Sequence, residues 1–131
     1  MPWMHLYRFS GAAQLLGVSD DTLRRWADAG RLRTTEDADG RRVVEGAELA
    51  AFAVTLAGDP TGPASTSARN AFPGIVTRVL RGDVVSQVEV QSGRHRLVSL
   101  MTTESVDTLG LAPGVPATAS VKSTNVVVEV L

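Results

Sequence analysis

The stretch AAQLLGVSDDTLRRWADAGRL, running from Ala12 to Leu32, decides the fold of the N-terminal half. Its apolar residues fall at helical spacing in two short blocks separated by Gly17. The first block predicts a helix from about Ser10, an N-cap candidate, through Ala12, Ala13, Leu15 and Leu16, with Gly17 as its stop. Ser19 then caps a second helix. Asp20 and Asp21 fall in its first turn, where the helix dipole favours acids, and Leu23, Trp26 and Ala27 form its buried stripe before Gly30 ends it. Two adjacent alanines allow close helix packing across a tight turn. The pattern predicts a helix-turn-helix whose second helix exposes Thr22, Arg24 and Arg25. Such a helix fits the DNA major groove, where arginine pairs with guanine or grips phosphate.

Moving outward, the stretch from Arg31 to Val44 has a polar tip, and Asp39-Gly40 is the dipeptide favoured in tight hairpin turns, so a two-stranded wing is expected. A third helix is predicted from Gly46 to Leu56, with Leu49, Phe52 and Leu56 turned inward. Trp3, Tyr7 and Phe9 are expected to pack under the first helix. From Gly58 to Ser67 the chain reads GDPTGPASTS, which is linker composition. The expected organisation is therefore a domain over residues 1-57, a linker over 58-66 and a second domain over 67-131.

Past the linker, β-branched residues dominate and alternate with polar ones. Strands are predicted at Ile75 to Leu80, Val84 to Val90, Leu97 to Met101, Val115 to Val121 and Val126 to Val130, with one short helix at Thr103 to Leu109. Gly82-Asp83 and Ser92-Gly93 mark hairpin turns. Five short strands and one helix predict a small barrel of the oligonucleotide/oligosaccharide-binding type. The fold class is thus α+β: an N-terminal winged helix-turn-helix and a C-terminal five-stranded OB-like β-barrel with one short helix.

Composition narrows the function. A net charge of -1 over 131 residues gives no general nucleic-acid footprint, so DNA contact must rest on where individual arginines sit. The N-terminal half holds seven arginines against eight acids. There is no cysteine, hence no disulfide framework or thiolate metal site, and His5 and His95 are isolated. No apolar run approaches the length of a membrane helix and the start carries no export signal, so a cytoplasmic location and no membrane partner are expected. No paired carboxylates and no nucleophile beside a base are visible, so an enzyme is not expected.

The set Ala12, Ala13, Leu16, Gly17, Val18, Ser19, Thr22, Arg24, Trp26, Gly30, Leu32 and Gly40-Arg41-Arg42 resembles the winged helix of the MerR family and of phage excisionases. The resemblance covers about Leu6 to Ala57. It implies binding of double-stranded DNA, with Ser19, Thr22, Arg24, Arg25, Arg41 and Arg42 as the contact residues.

In the C-terminal half, two clusters combine hydroxyls, a fixed cation and consecutive backbone N–H groups, the means of holding a tetrahedral oxyanion. One is Ser67-Ala68-Arg69-Asn70, followed by Phe72, Gly74 and Val76; the other is Val121-Lys122-Ser123-Thr124-Asn125. Together with Ser99 to Thr103, Leu109-Gly110-Leu111 and Gly114, they resemble the Mop domain, a TOBE-type molybdate-binding barrel. The resemblance implies molybdate or tungstate as ligand, held by hydrogen bonds and not by direct bonding to the metal. It nominates Ser67, Arg69 and Asn70 from one subunit and Lys122, Ser123 and Thr124 from another, which makes a homo-oligomer the expected state. Lys122 is the only lysine beside twelve arginines. The triplet Arg94, His95, Arg96 reads as a charged edge that blocks sheet aggregation, with a second anion site as the alternative.

The two resemblances together point to a molybdate- or tungstate-responsive DNA-binding transcriptional regulator. Two other readings stay open on sequence: an intracellular molybdate storage protein, and a DNA-binding protein whose barrel serves only oligomerisation or another ligand.

Overall fold

The computed structural model describes residues 5–57 and 66–131, so the expectations for Trp3 and most of the linker lie outside the described residues. The chain divides between Gly58 and Asp59 into two compact units.

In the first unit the order is β1 (Leu6–Tyr7), α1 (Phe9–Leu16), α2 (Asp20–Asp28), β2 (Thr35–Glu36), β3 (Arg42–Glu45) and α3 (Gly46–Leu56). Gly17 ends α1 in the left-handed region at φ 71°, where it donates its N–H to the carbonyls of Ala13 and Gln14. Val18 then returns its N–H to Ala13 at 3.0 Å, which turns the chain sharply into α2. Ser19 caps α2 as expected, its hydroxyl accepting from the Thr22 N–H at 3.1 Å. Ala12 and Ala13 are fully buried against Leu23, and Leu32, Val44, Leu49 and Phe52 complete the core, with Tyr7, Phe9, Leu16, Val18 and Trp26 packed around it.

Three local expectations are revised. Helix α1 starts at Phe9 with Arg8, and not Ser10, at the N-cap, because Phe9 packs on the core and draws the helix start back. The wing turn is not a two-residue loop: Asp37 pairs with Arg41 through a 2.9 Å backbone bond, leaving Ala38-Asp39-Gly40 as a three-residue loop with Gly40 at φ 77°. Leu56 is 41% exposed and does not join the core. Strand β1 was not expected from the sequence; its two residues pair antiparallel with β3 and make a three-stranded sheet, β1-β3-β2.

The second unit runs β4 (Asn70–Leu80), β5 (Val85–Ser92), β6 (His95–Thr102), α4 (Thr103–Leu109), β7 (Pro116–Val121) and a short 3-10 turn (Ser123–Asn125). The strands form one antiparallel sheet in the order β6-β5-β4-β7, curled as a half-barrel around Val76, Val88, Val90 and Val106. Strand β4 begins five residues before the predicted start because its first half pairs with β7 and its second half with β5. The switch occurs at Gly74, where a Cβ would collide with the Gln91 carbonyl, and at a bulge between Val76 and Arg78. Helix α4 is held by a buried hydroxyl pair, Ser86 with Thr103 at 2.7 Å, and by an Arg81–Asp107 ion pair at 2.8 Å.

The fifth predicted strand does not form within the chain. Val126 to Val130 pairs with neither sheet edge, and Val127, Val128 and Val130 are 85%, 85% and 98% exposed. The half-barrel is left with two unpaired edges, β6 and β7, on either side of an apolar groove of about 510 Å³. No helix among the described residues is long and apolar enough to cross a membrane.

Candidate functional site

Sheet register brings the two predicted oxyanion clusters together. Asn70, the first residue of β4, lies opposite Val121, the last of β7, and its side-chain amide donates to the Val121 carbonyl at 3.0 Å. Ser67 and Arg69 therefore approach the same end of the sheet that Lys122, Ser123 and Thr124 leave. Asn70 commits one amide N–H to this clasp and so acts first as the residue that positions the site. Ser67, Arg69, Lys122, Ser123 and Thr124 are exposed.

Backbone geometry shapes the second cluster. After Lys122 the chain closes a single 3-10 turn in which the Asn125 N–H bonds the Lys122 carbonyl at 2.9 Å and the Val126 N–H bonds Ser123 at 3.3 Å. The N–H groups of Ser123 and Thr124 head this turn, ahead of its internal bonds, the position at which a turn's own carbonyls supply no acceptor. On the other strand, the Thr66 hydroxyl accepts the Ala68 N–H at 3.2 Å and Ala68 is buried, which fixes the entry to β4. Thr66 was not singled out in the sequence, since a hydroxyl two residues before a buried alanine has no distinctive signature. The cluster offers two cations, three hydroxyls and paired N–H groups with no carboxylate among them, a donor set suited to an oxyanion.

In the basic hairpin, Arg96 is engaged within the fold. Arg96 bonds the carboxylate of Glu89, whose side chain is only 8% exposed, and this bond holds the Glu89 carboxyl below its ordinary value of 4.5, with Arg78 adding to the effect.

The predicted DNA-contact residues separate into two groups. Thr22, Arg24 and Arg25 line the outer side of α2, with Thr22 accepting from Ser19 at 2.9 Å and from Arg25 at 3.2 Å, so one hydroxyl orders the whole N-terminal face of the helix. Arg41 is exposed at the wing. Arg42 is instead engaged within the fold: it pairs with Asp28 at 2.9 Å and lies 5.2 Å over the Phe9 ring, tying the wing strand to the end of α2. Ser19 is likewise spent on its cap. Arg31 lies over the Trp26 and Phe52 rings, at 5.7 and 5.9 Å, and Trp26 packs on Phe52 as a core residue.

The eight acids of this half are also less opposed to DNA than their number suggests. Asp28 is paired with Arg42, and Glu48 faces Arg33 at 3.6 Å. Asp37 turns its carboxylate onto the wing backbone, accepting from the N–H groups of Asp39 and Arg41 at 2.9 Å each. The Arg41 N–H is the main cause of a carboxyl held below its usual 3.8, with the Asp39 N–H and the nearby Arg41 and Arg8 charges adding to it.

Residues 66–128 match the family model described as the TOBE domain, and residues 6–53 match the one described as a helix-turn-helix domain. The chain is 37% identical over 65 residues to molybdenum-pterin-binding protein 2 of Clostridium pasteurianum, an alignment covering 49% of this chain and 96% of that protein. It is 38% identical over 79 residues to the molybdenum-pterin-binding protein MopA of Rhodobacter capsulatus, covering 60% of this chain and 29% of that one. It is also 41% identical over 63 residues to the molybdenum transport protein ModE of Herbaspirillum seropedicae, covering 47% of this chain and 23% of that one. The chain thus spans less than a third of the length of the two larger relatives.

Proposed function

Because the chain belongs, through the TOBE domain of its C-terminal half, to the family of the molybdenum-pterin-binding proteins, we propose that it is a molybdate- or tungstate-responsive DNA-binding regulator. The observation that carries the reading is the Asn70–Val121 clasp, which joins a donor-rich cluster without carboxylates at one end of a half-barrel borne on the same chain as a helix-turn-helix. The relatives are named for binding molybdenum-pterin or transporting molybdenum, and molybdate, a fully deprotonated tetrahedral oxyanion, is the form of molybdenum that such donors accept. Ser67, Arg69, Lys122, Ser123 and Thr124 hold the anion and Asn70 keeps the two strands in register.

The exposed C-terminal tail supports an oligomer. Val126 to Leu131 is five-sixths apolar, and leaving these side chains in water forgoes about 1.5–3 kcal/mol for each valine or leucine that burial would supply. The unpaired groove between β6 and β7 has the apolar lining and free strand edges that such a segment needs, and one copy's tail completes the half-barrel of another. Since the tail follows Lys122 to Asn125 directly, the exchange carries the anion cluster into a subunit interface and encloses a site that a lone chain leaves open. An intracellular location fits a protein that reads DNA.

Thr22, Arg24, Arg25 and Arg41 form the DNA-reading surface. An anion alters DNA affinity only by binding two arrangements of the oligomer unequally, so the test is a gel shift on a molybdate-transport promoter with and without molybdate. Discrete shifted species are expected, with a midpoint that moves with molybdate and not with sulfate. Absence of any specific shift, with molybdate still binding, would point to storage instead.

A further inference from the structure

We infer that the apolar groove between α1 and α3 seats α3 of a second copy of this chain, so that two winged helices pair through a face that carries none of the DNA-reading residues. The proposal rests on the oligomeric reading above, which keeps two copies tethered.

Helix α3, GAELAAFAVTL, is apolar almost all round. Its inner side is spent on Leu49 and Phe52, yet Ala47, Ala50 and Val54, at spacing i, i+3 and i+7, lie exposed along one stripe, Val54 at 75%. A helix apolar on both sides is one that expects cover on both. Beside the stripe lies an open groove of about 660 Å³, whose walls include Leu15 and Leu16 from α1 and Ala47, Ala50 and Ala53 from α3. Leu15 is itself 48% exposed. No residue of α2 and neither Arg41 nor Arg42 lines it.

Three observations point to a second copy as the occupant. The first is reciprocity: the same domain presents a small-residue helix and, next to it, a groove of matching character, which is what a two-fold interface requires. The second is charge. A two-fold interface brings residues near its axis close to their own copies; the stripe residues Ala47, Ala50 and Val54 carry no charge, Glu48, the only charged residue of α3, lies 3.6 Å from Arg33, and Glu45 is the one acidic residue lining the groove. The third is chain length. Helix α3 is the last element before residues 58–65, and eight residues reach at most roughly 28 Å, so copies joined through their C-terminal units hold each other's α3 at high effective concentration. A paired arrangement with α2 and the wing left free fixes the separation of two recognition helices and hence the spacing of two DNA half-sites.

The natural chain has no cysteine, so Ala50→Cys places a single thiol on the stripe of the full-length protein. Asp21→Cys, at the start of α2 and outside the groove, measures the collision rate of tethered copies. With a short bis-maleimide and no added molybdate or DNA, the pairing predicts covalent dimers of Ala50→Cys forming at least roughly tenfold faster than those of Asp21→Cys. Equal rates in a protein that light scattering shows to be oligomeric overturn the pairing and leave the oligomer standing. A monomeric mass overturns both. An Ala50→Cys variant whose thiol is shielded from a mono-maleimide and still does not crosslink also overturns the pairing, assigning the face to an occupant other than its twin.

Discussion

Lys122 is the residue on which the proposed anion site most directly depends, as the chain's only lysine and the residue that opens the 3-10 turn. Lys122→Ala removes one charge-assisted hydrogen bond, worth about 1.5–3 kcal/mol, so molybdate affinity is expected to fall roughly ten- to hundredfold in calorimetry while the far-UV spectrum stays unchanged. The arginines of the N-terminal half divide more sharply. Arg42→Ala breaks the Asp28 pair and the Phe9 contact and should cost about 1 kcal/mol, seen as a lower melting temperature for this unit. Arg24→Ala should leave the melting temperature in place and weaken DNA binding by about 1–3 kcal/mol in fluorescence anisotropy. Reversed results for the two variants would mean that the exposed and engaged arginines have been assigned to the wrong roles. The sequence motif could not make this division: Gly40-Arg41-Arg42 presents two adjacent arginines, and only the fold brings the second within reach of Asp28.

A buried carboxylate gives the residue scale its pH dependence. The Arg96 bond lowers the Glu89 carboxyl, so the folded protein releases this proton more readily than the unfolded chain. The resulting stabilisation is complete above the ordinary value of 4.5 and is lost as pH falls through the lowered folded value. Asp37 and Asp107 are lowered for parallel reasons, through the wing N–H groups and through Arg81. Melting temperature should therefore hold steady down to about pH 5 and decline below it, and Glu89→Gln should make that decline shallower at the expense of stability near neutrality. A melting temperature that rises on acidification would contradict the pairing.

At the scale of elements, the legible features were those written in local chemistry. Gly17 and Ser19 fixed the turn between α1 and α2, and Leu49 and Phe52 marked the buried side of α3, because caps and helical spacing act over a few residues. Features set by distant partners were not legible. Strand β1 exists because Leu6 and Tyr7 meet Glu45 and Val44, far along the chain, and β4 begins at Asn70 because β7 arrives to pair with it. The anion clusters were visible as residue types, yet the clasp that joins them, Asn70 to the Val121 carbonyl, depends on register that neither cluster encodes alone. The tail shows the same limit in another form: Val126 to Val130 has the composition of a strand, but composition does not say whose sheet it joins. Deleting 126–131 should lower the oligomeric mass measured by light scattering, and with it molybdate affinity. A truncated chain that keeps both would exclude the tail exchange.

At the scale of the whole molecule, two small cores each need help. Among the described residues, neither the unit around Leu23 and Phe52 nor the half-barrel around Val76 and Val88 is closed on all sides: the first leaves the α3 stripe exposed and the second leaves two strand edges and an apolar groove. Small domains bury a limited share of their surface, and assembly is a common remedy. On the proposed reading assembly also places the function, since the candidate anion cluster sits at the root of the tail proposed to exchange. Ligand and oligomer are therefore expected to stabilise one another, as linkage requires of any ligand that binds only the assembled form. The central claim is that the assembled barrels bind molybdate, and the most direct test is calorimetric titration of the full-length oligomer with molybdate, with sulfate as the comparison. Saturable heat is expected at a fixed ratio of anion to chain, not abolished by excess sulfate; a verified oligomer that releases no heat with molybdate or tungstate would contradict the claim.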